Sequence, residues 1–277
     1  MSRWHGHLTL NHRRDGERTL SHDRHSGPLR VLRSLYPEGP GVCHNVLVHP
    51  PAGLAGGDTL TLDLNVGPQA HALLTTPGAT RFYRSLGETA RQVVNARVDE
   101  GARLEWLPLE TLCYPQALAE NRLSFHLASG AEMLGWDVLA LGRPASGQPF
   151  DAGHFTQHVE LPGVWLERGT VNGSDTRFLN SPLGWAGHSV LGMAWFAAGT
   201  ALTPERSEAL LANARALAEN SPLQATAGAT AVHAQVLVLR VLGHRVEPVM
   251  DLLKGVWAAW RRQVWGLAAV PPRVWQT

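Results

Sequence analysis

The stretch His49–Val66, HPPAGLAGGDTLTLDLNV, sets two prolines and three glycines ahead of Asp58 and then alternates without a break. Leu60, Leu62, Leu64 and Val66 share one parity, and Thr61, Asp63 and Asn65 the other. Period-two alternation is the mark of a half-buried strand, so the leucines and the valine are expected inside and the polar residues outside. The preceding glycines let the backbone turn sharply, because glycine alone takes positive φ without steric cost. Asp58 is then expected to be held at a fixed place where the turn meets the strand.

Outward from this strand, the chain up to about Gly199 is written in similar short units. Ala72–Thr76, Val93–Val98, Arg103–Trp106 and Leu123–Leu127 read as strands, separated by Gly67-Pro68, Pro77-Gly78, Asp99-Glu100-Gly101 and Ser129-Gly130. Strand units with little helical patterning between them predict a mainly β fold, an irregular multi-stranded sandwich or barrel-like body, rather than a parallel sheet with crossover helices. No segment repeats closely enough to suggest a solenoid.

Helical patterning begins late. Thr203 is a capping hydroxyl followed by Pro204 and Glu205, and Leu210, Leu211, Ala214, Leu217 and Ala218 make one stripe before Asn220-Ser221-Pro222 ends it. A second helix is predicted over 248–264, with Val249, Leu252, Leu253, Val256, Trp257, Trp260 and Val264 on one face and Asp251, Lys254 and Arg261 opposite. Residues 231–240 between them read as one further strand. The expectation is a single domain over 1–277: a β body over about 1–200, with two α-helices in the C-terminal third, in a helix-strand-helix element over about 203–264.

Composition narrows the function. The 277 residues are 44% hydrophobic and 17% charged, lean in charge, which points to a protein whose surface is partly covered by partners and which is poorly soluble without them. Cys43 and Cys113 make no CxxC pair or disulfide framework, and no apolar leader or membrane span is evident, so a cytoplasmic location is expected. The sole lysine, Lys254, lies outside any GxxxxGK[ST] loop, and no GxGxxG follows a strand, which excludes the familiar nucleotide-binding loops. The nearest approach to a GxSxG elbow, Gly187–Gly192, is one residue too long. Cys43 and His44 point to opposite faces of a strand, so neither activates the other.

Histidines crowd the N-terminal segment: His5, His7, His12, His22 and His25. In a strand His5 and His7 share a face, an arrangement metals use, and a metal-dependent hydrolase is the enzymatic reading of this cluster. Asp58, Glu105, Glu110, Asp137 and Glu167 each interrupt an apolar or glycine-rich context, GGDTL, RLEWL, PLETL, GWDVL and VWLERG. An unpartnered buried carboxylate is costly, so such acids either cap turns, pair with arginine or line a polar cavity.

Several stretches in order resemble the UreD family (UreH in some organisms) of urease accessory proteins along almost the whole chain: GPLRVLRSLYPEG (27–39), CHNVLVHPPAGLAGGDTLTLDLNV (43–66), ALLTTPGATRFYRS (72–85), LEWLPLETL (104–112), LGR (141–143) and PPRVWQT (271–277). Pro50, Pro51, Gly53, Gly56 and Gly57 carry the second stretch; Thr76, Arg81, Tyr83 and Ser85 carry the third. Arg81 stands where the family often has lysine, Leu109 replaces a glutamine, and the segment 113–117 lacks the usual Asp-Gly. The resemblance implies a mainly β, non-catalytic scaffold that binds UreF, which recruits the GTPase UreG, and docks on apo-urease, as a dimer of heterotrimers. Nickel is then cargo in transit through an internal polar tunnel, with no tightly bound cofactor. Asp58, Glu110, Asp137 and Glu167 are the candidate path-lining acids. A β-rich adaptor without a metal path is the remaining alternative, and no nucleic-acid or membrane role is implied.

Overall fold

The computed structural model describes residues 4–51 and 53–276. Along the chain run β1 (His5–Asp15), β2 (Arg18–Ser26), β3 (Arg30–Leu35), β4 (Val42–Val48), β5 (Thr59–Val66), β6 (His71–Thr75), β7 (Thr80–Phe82), β8 (Ala90–Val98) and β9 (Arg103–Trp106). They are followed by β10 (Thr111–Cys113), β11 (Leu118–Leu127), β12 (Glu132–Leu141), β13 (His154–Leu161), β14 (Trp165–Asn172), α1 (Thr176–Asn180), β15 (Val190–Ala198), α2 (Pro204–Glu219), β16 (Ala227–His233), β17 (Val236–Gly243) and α3 (Val246–Trp265). The protein is mainly β, as expected, with α2 and α3 late in the chain; the five-residue α1 carries no sequence stripe and is capped by Asp175, whose side chain accepts from Phe178 N.

The strands form two layers. One sheet has the order β14-β13-β11-β8-β5-β1-β2; the other runs β16-β17-β15-β12-β9-β6-β4-β3, with β10 and β7 annexed beside β12. From β4 to β13 the chain passes alternately between layers, advancing one position each time, so that β5, β8, β11 and β13 are mutually parallel neighbours, as are β4, β6, β9 and β12. A parallel pair needs a long crossover. Here the crossover is a strand of the opposite sheet rather than a helix, so the chain winds like a solenoid without any repeat in its sequence. The turns at one end stack on each other through the backbone: Asp99 N donates to Val66 O at 2.9 Å, Ala128 N to Val98 O at 2.9 Å and Glu132 N to Ala102 O at 3.1 Å.

Strand β5 alternates as read from its sequence, with Leu60, Leu62, Leu64 and Val66 buried between the sheets. On its outer face Asp63 accepts from Asn95 Nδ2 at 2.9 Å and meets His7 Nε2 at 2.7 Å. A second apolar layer lies on the far face of the second sheet, where α2 and α3 bury Leu210, Leu211, Ala214, Val249, Leu253 and Trp260 against Leu134, Trp136, Ala194 and Leu239. Thr203 caps α2 as expected, accepting from Arg206 N at 3.3 Å.

Two sequence readings in this region need correction. The single strand over 231–240 is a hairpin, β16 and β17 pairing antiparallel across Ala234-Gln235, a turn with none of the glycine, proline or asparagine that usually marks one. Arg261, placed on the polar face of α3, is completely buried. It follows Trp257 by four residues and so shares its face. Among the described residues no helix is long and apolar enough to cross a membrane.

Candidate functional site

The strand parity that buries leucines between the sheets also carries polar residues into the same space. On β8 Gln92 lies between Ala90 and Val94, on β11 Asn121 lies between Ala119 and Leu123, and on β13 Gln157 lies between Phe155 and Val159. The register sets the three side by side, Gln92 opposite Asn121 and Asn121 opposite Gln157. Gln92 Nε2 donates to Asn121 Oδ1 at 3.1 Å, and Asn121 Nδ2 donates to Gln157 Oε1 and to Asp137 Oδ1, each at 3.2 Å. Asp137 reaches this row from β12 in the opposite sheet, so the contact bridges the layers.

Among the described residues no cation pairs with Asp137, and burial pushes its carboxyl up to about 7 against the weaker pull of the Asn121 hydrogen bond. Among the described residues buried Gln157 Nε2 meets no partner, so the row is not closed on itself. At its other end Gln92 lines a cavity of about 240 Å³ between the sheets, with Leu60, Trp106, Thr76, His49 and Arg81 among its walls. The row and cavity together place one carboxyl, raised toward neutral pH by burial, and several amide oxygens in the interior of an otherwise apolar sandwich.

The turn quoted from the sequence frames the cavity mouth. Leu54 forms a parallel bridge with Phe82, Leu54 N donating to Arg81 O at 2.7 Å and Tyr83 N to Leu54 O at 2.9 Å. Only Gly57 of the three glycines has positive φ, at 89°. Gly53 and Gly56 are required for close approach instead: a Cβ on Gly53 would lie 2.4 Å from Tyr83 Cε2, and one on Gly56 2.3 Å from Ser85 Oγ. Pro50 and Pro51 sit exposed in the approach to the turn. Thr76 Oγ1 accepts from Leu109 N at 2.9 Å, Tyr83 packs edge-on against Tyr114, and Ser85 Oγ accepts from Gly87 N and donates to Glu88 O. The two motif stretches thus serve one another.

The candidate acids are dispersed. Asp58 caps its own turn, Oδ2 accepting from Ala55 N at 2.9 Å and Oδ1 from Trp4 N at 3.2 Å. Glu110 is half-buried beside β10, and its backbone carbonyl accepts from Thr80 N. Glu167, on β14, forms a two-point pair with Arg240 of β17 in the opposite sheet. Glu105 is wholly buried in a separate network beneath α3, where Arg261 Nε lies 3.1 Å from both of its oxygens, His71 Nε2 2.7 Å from Oε1 and Trp257 Nε1 2.6 Å from Oε2. Burial opposes its charge, yet the His71 and Trp257 hydrogen bonds and the Arg261 charge hold the carboxyl below its usual range. Arg261 also reaches Glu38 at 2.5 Å, and His44 meets the same carboxylate at 2.6 Å.

The N-terminal histidines are not brought together. His5 and His7 share the outer face as predicted and meet Thr61 and Asp63, whereas His12 faces inward to Asn45 at 2.7 Å, where burial lowers it to about 4. No group of three or more His, Cys, Asp or Glu arranged to hold a metal occurs among the described residues. Sequence reading found Asp137 but missed Gln92, Asn121 and Gln157; their inward parity on strands flanked by buried apolar residues was the available signal.

A description of the family "UreD urease accessory protein" matches residues 5–276. The chain belongs to the UreD family. Urease accessory proteins UreD from Leptothrix cholodnii and Paracidovorax citrulli are 59% and 57% identical to it over 276 and 272 residues, covering 99% and 98% of this chain and 99% of each relative. That from Variovorax paradoxus is 54% identical over 274 residues, with 99% of both chains covered. Membership supports a part in urease maturation, and the interior row lies wholly inside the matched span.

Proposed function

We propose that this UreD-family protein is a cytoplasmic, non-catalytic scaffold of urease maturation that binds UreF, and through it UreG, docks on apo-urease, and passes nickel along its interior. The carrying observation is the row Gln92–Asn121–Asp137–Gln157 between the sheets, with a carboxyl that burial holds near neutrality. Raised to about 7, Asp137 is partly protonated near neutral pH when the site is vacant, and a divalent cation would displace the proton it holds. Amide and carboxylate oxygens suit an imidazole-preferring ion poorly, which favours release over storage. Asp58 has a turn to hold and Glu167 an arginine to pair; in this reading they shape the ends of the passage, with Glu110, rather than trap the ion.

The test is urease matured in cells carrying Asp137→Asn. Lowered nickel per urease with normal co-purification of UreF and urease is expected. Full nickel occupancy would remove the interior passage and leave the scaffold, whereas failure of the unsubstituted chain to retain UreF would remove the scaffold itself.

A further inference from the structure

The cavity that adjoins the interior row has a lining unlike the row itself. Leu60 and Leu62 of β5 form part of its wall in one sheet, and Leu47 of β4 and Trp106 of β9 part of its wall in the other. Among the described residues that line it there is no carboxylate, and Arg81 of β7 is the one side chain of fixed charge. A guanidinium carries five N–H donors and keeps its charge, so a neighbour on one donor leaves others to offer. His49 lines the cavity as well, and burial lowers that imidazole below its ordinary value against the weaker pull of Asp58, so near neutral pH it is mostly the uncharged ring.

Trp106 supplies a second, independent observation. It is 3% exposed and lies in the core between the sheets, its ring 6.4 Å from that of Phe125. Its indole Nε1 is buried and meets no partner among the described residues. A buried N–H without an acceptor is uncommon and costly. An indole nitrogen only donates, so what satisfies it must be an acceptor, and the cavity is the space this residue borders. At about 240 Å³ that space exceeds the roughly 150 Å³ that suffices for benzene, and by the same proportion holds roughly ten non-hydrogen atoms.

We infer that the cavity is a binding site for a small organic carboxylate with an apolar body, the head group drawn by Arg81 and the body held between the β5 leucines and Trp106. Apolar walls with a few polar groups are the usual make-up of a small-molecule site. The leucines by themselves would admit any apolar molecule of the right size. The guanidinium selects among them, because its planar fork matches a carboxylate with two parallel hydrogen bonds. A second acceptor on the ligand would satisfy the Trp106 N–H. The inference concerns the cavity alone and does not require nickel to pass along the row.

Benzoate is the probe, with benzyl alcohol and benzylamine as neutral and cationic molecules of similar shape. Added to the full chain without nickel or partners, benzoate is expected to shift the Trp106 indole N–H signal saturably in NMR spectra, the signal being assigned through Trp106→Phe. It is expected to bind about tenfold or more tighter than benzyl alcohol, as one hydrogen bond to a charged group contributes. Benzylamine is expected to leave the signal in place. Arg81→Gln should erase the preference for benzoate over benzyl alcohol, and Arg81→Lys, which keeps the charge, should retain most of it. Equal affinity of the unsubstituted protein for benzoate and benzyl alcohol, benzoate binding that leaves the Trp106 signal unmoved, or an undiminished preference in Arg81→Gln would each overturn the inference. A preference for benzylamine would overturn it too and would mark the cavity as a place for cations.

Discussion

Arg261 and Glu105 stand 156 residues apart in sequence and meet at 3.1 Å with neither side chain exposed. Their pairing joins α3 to a strand at the middle of the second sheet, and Glu38 in the turn between β3 and β4 and His71 on β6 extend it. Burying these charges is repaid only while all partners are present.

Replacing Arg261 by methionine should therefore cost about 3–5 kcal/mol, because it leaves Glu38 and Glu105 buried without their cation. Urea unfolding followed by tryptophan fluorescence reads the loss. Adding Glu105→Gln to Arg261→Met should recover part of it, and a double variant as unstable as the sum of the singles would show that the residues act independently.

Asp137 gives a pH-dependent prediction. Its folded value of about 7 lies above the ordinary aspartate value of 3.8, so the folded state holds the proton more tightly than the unfolded chain does. Its penalty is absent below the unfolded value, grows as pH rises through the interval between the two, and is complete above about 7. Asp137→Asn should accordingly be more stable than the unsubstituted protein at pH 8, with the difference shrinking toward pH 5. Lower nickel delivery by a more stable variant would separate function from folding.

His12 works in the opposite direction. Burial lowers it from 6.5 to about 4, so its neutral form contributes stability above the unfolded value, and this is lost as pH falls from about 6.5 toward 4. His12→Gln should flatten the acid limb of a stability–pH profile without altering its alkaline side.

Gly53→Ala should cost about 1–3 kcal/mol through overpacking, since the new methyl meets the Tyr83 ring and the Arg81 carbonyl. Tyr83→Ala in the same chain should relieve the ring contact and leave that with the carbonyl, which lies 2.9 Å from the built position. Thermal unfolding of the pair against each single variant gives the coupling.

Much of this architecture was legible in local pattern. The alternation of Leu60–Val66 and the Thr203-Pro204 helix start depend on neighbours in sequence, and both are realised. Parallel pairing was not legible, because a strand alternates in the same way whichever direction its neighbour runs. The burial of Arg261 was hidden for a different reason: its partners Glu38 and Glu105 come from across the fold, held in turn by His44 and His71, and only their convergence makes a buried guanidinium tolerable. Of the interior row, Asp137 stood out as a charge in apolar surroundings, whereas the three amides were overlooked because an uncharged residue disturbs the pattern less.

The alternating passage of the chain between layers has a mechanical corollary. Each excursion contributes a strand to both walls at once, so a wall cannot gain or lose a member by itself, and a deletion inside one strand would throw the opposite wall out of step. Any hollow enclosed this way has its span fixed by the number of excursions, each adding about 4.8 Å. Its two ends are gauged by the winding itself, independently of the side chains that fill it.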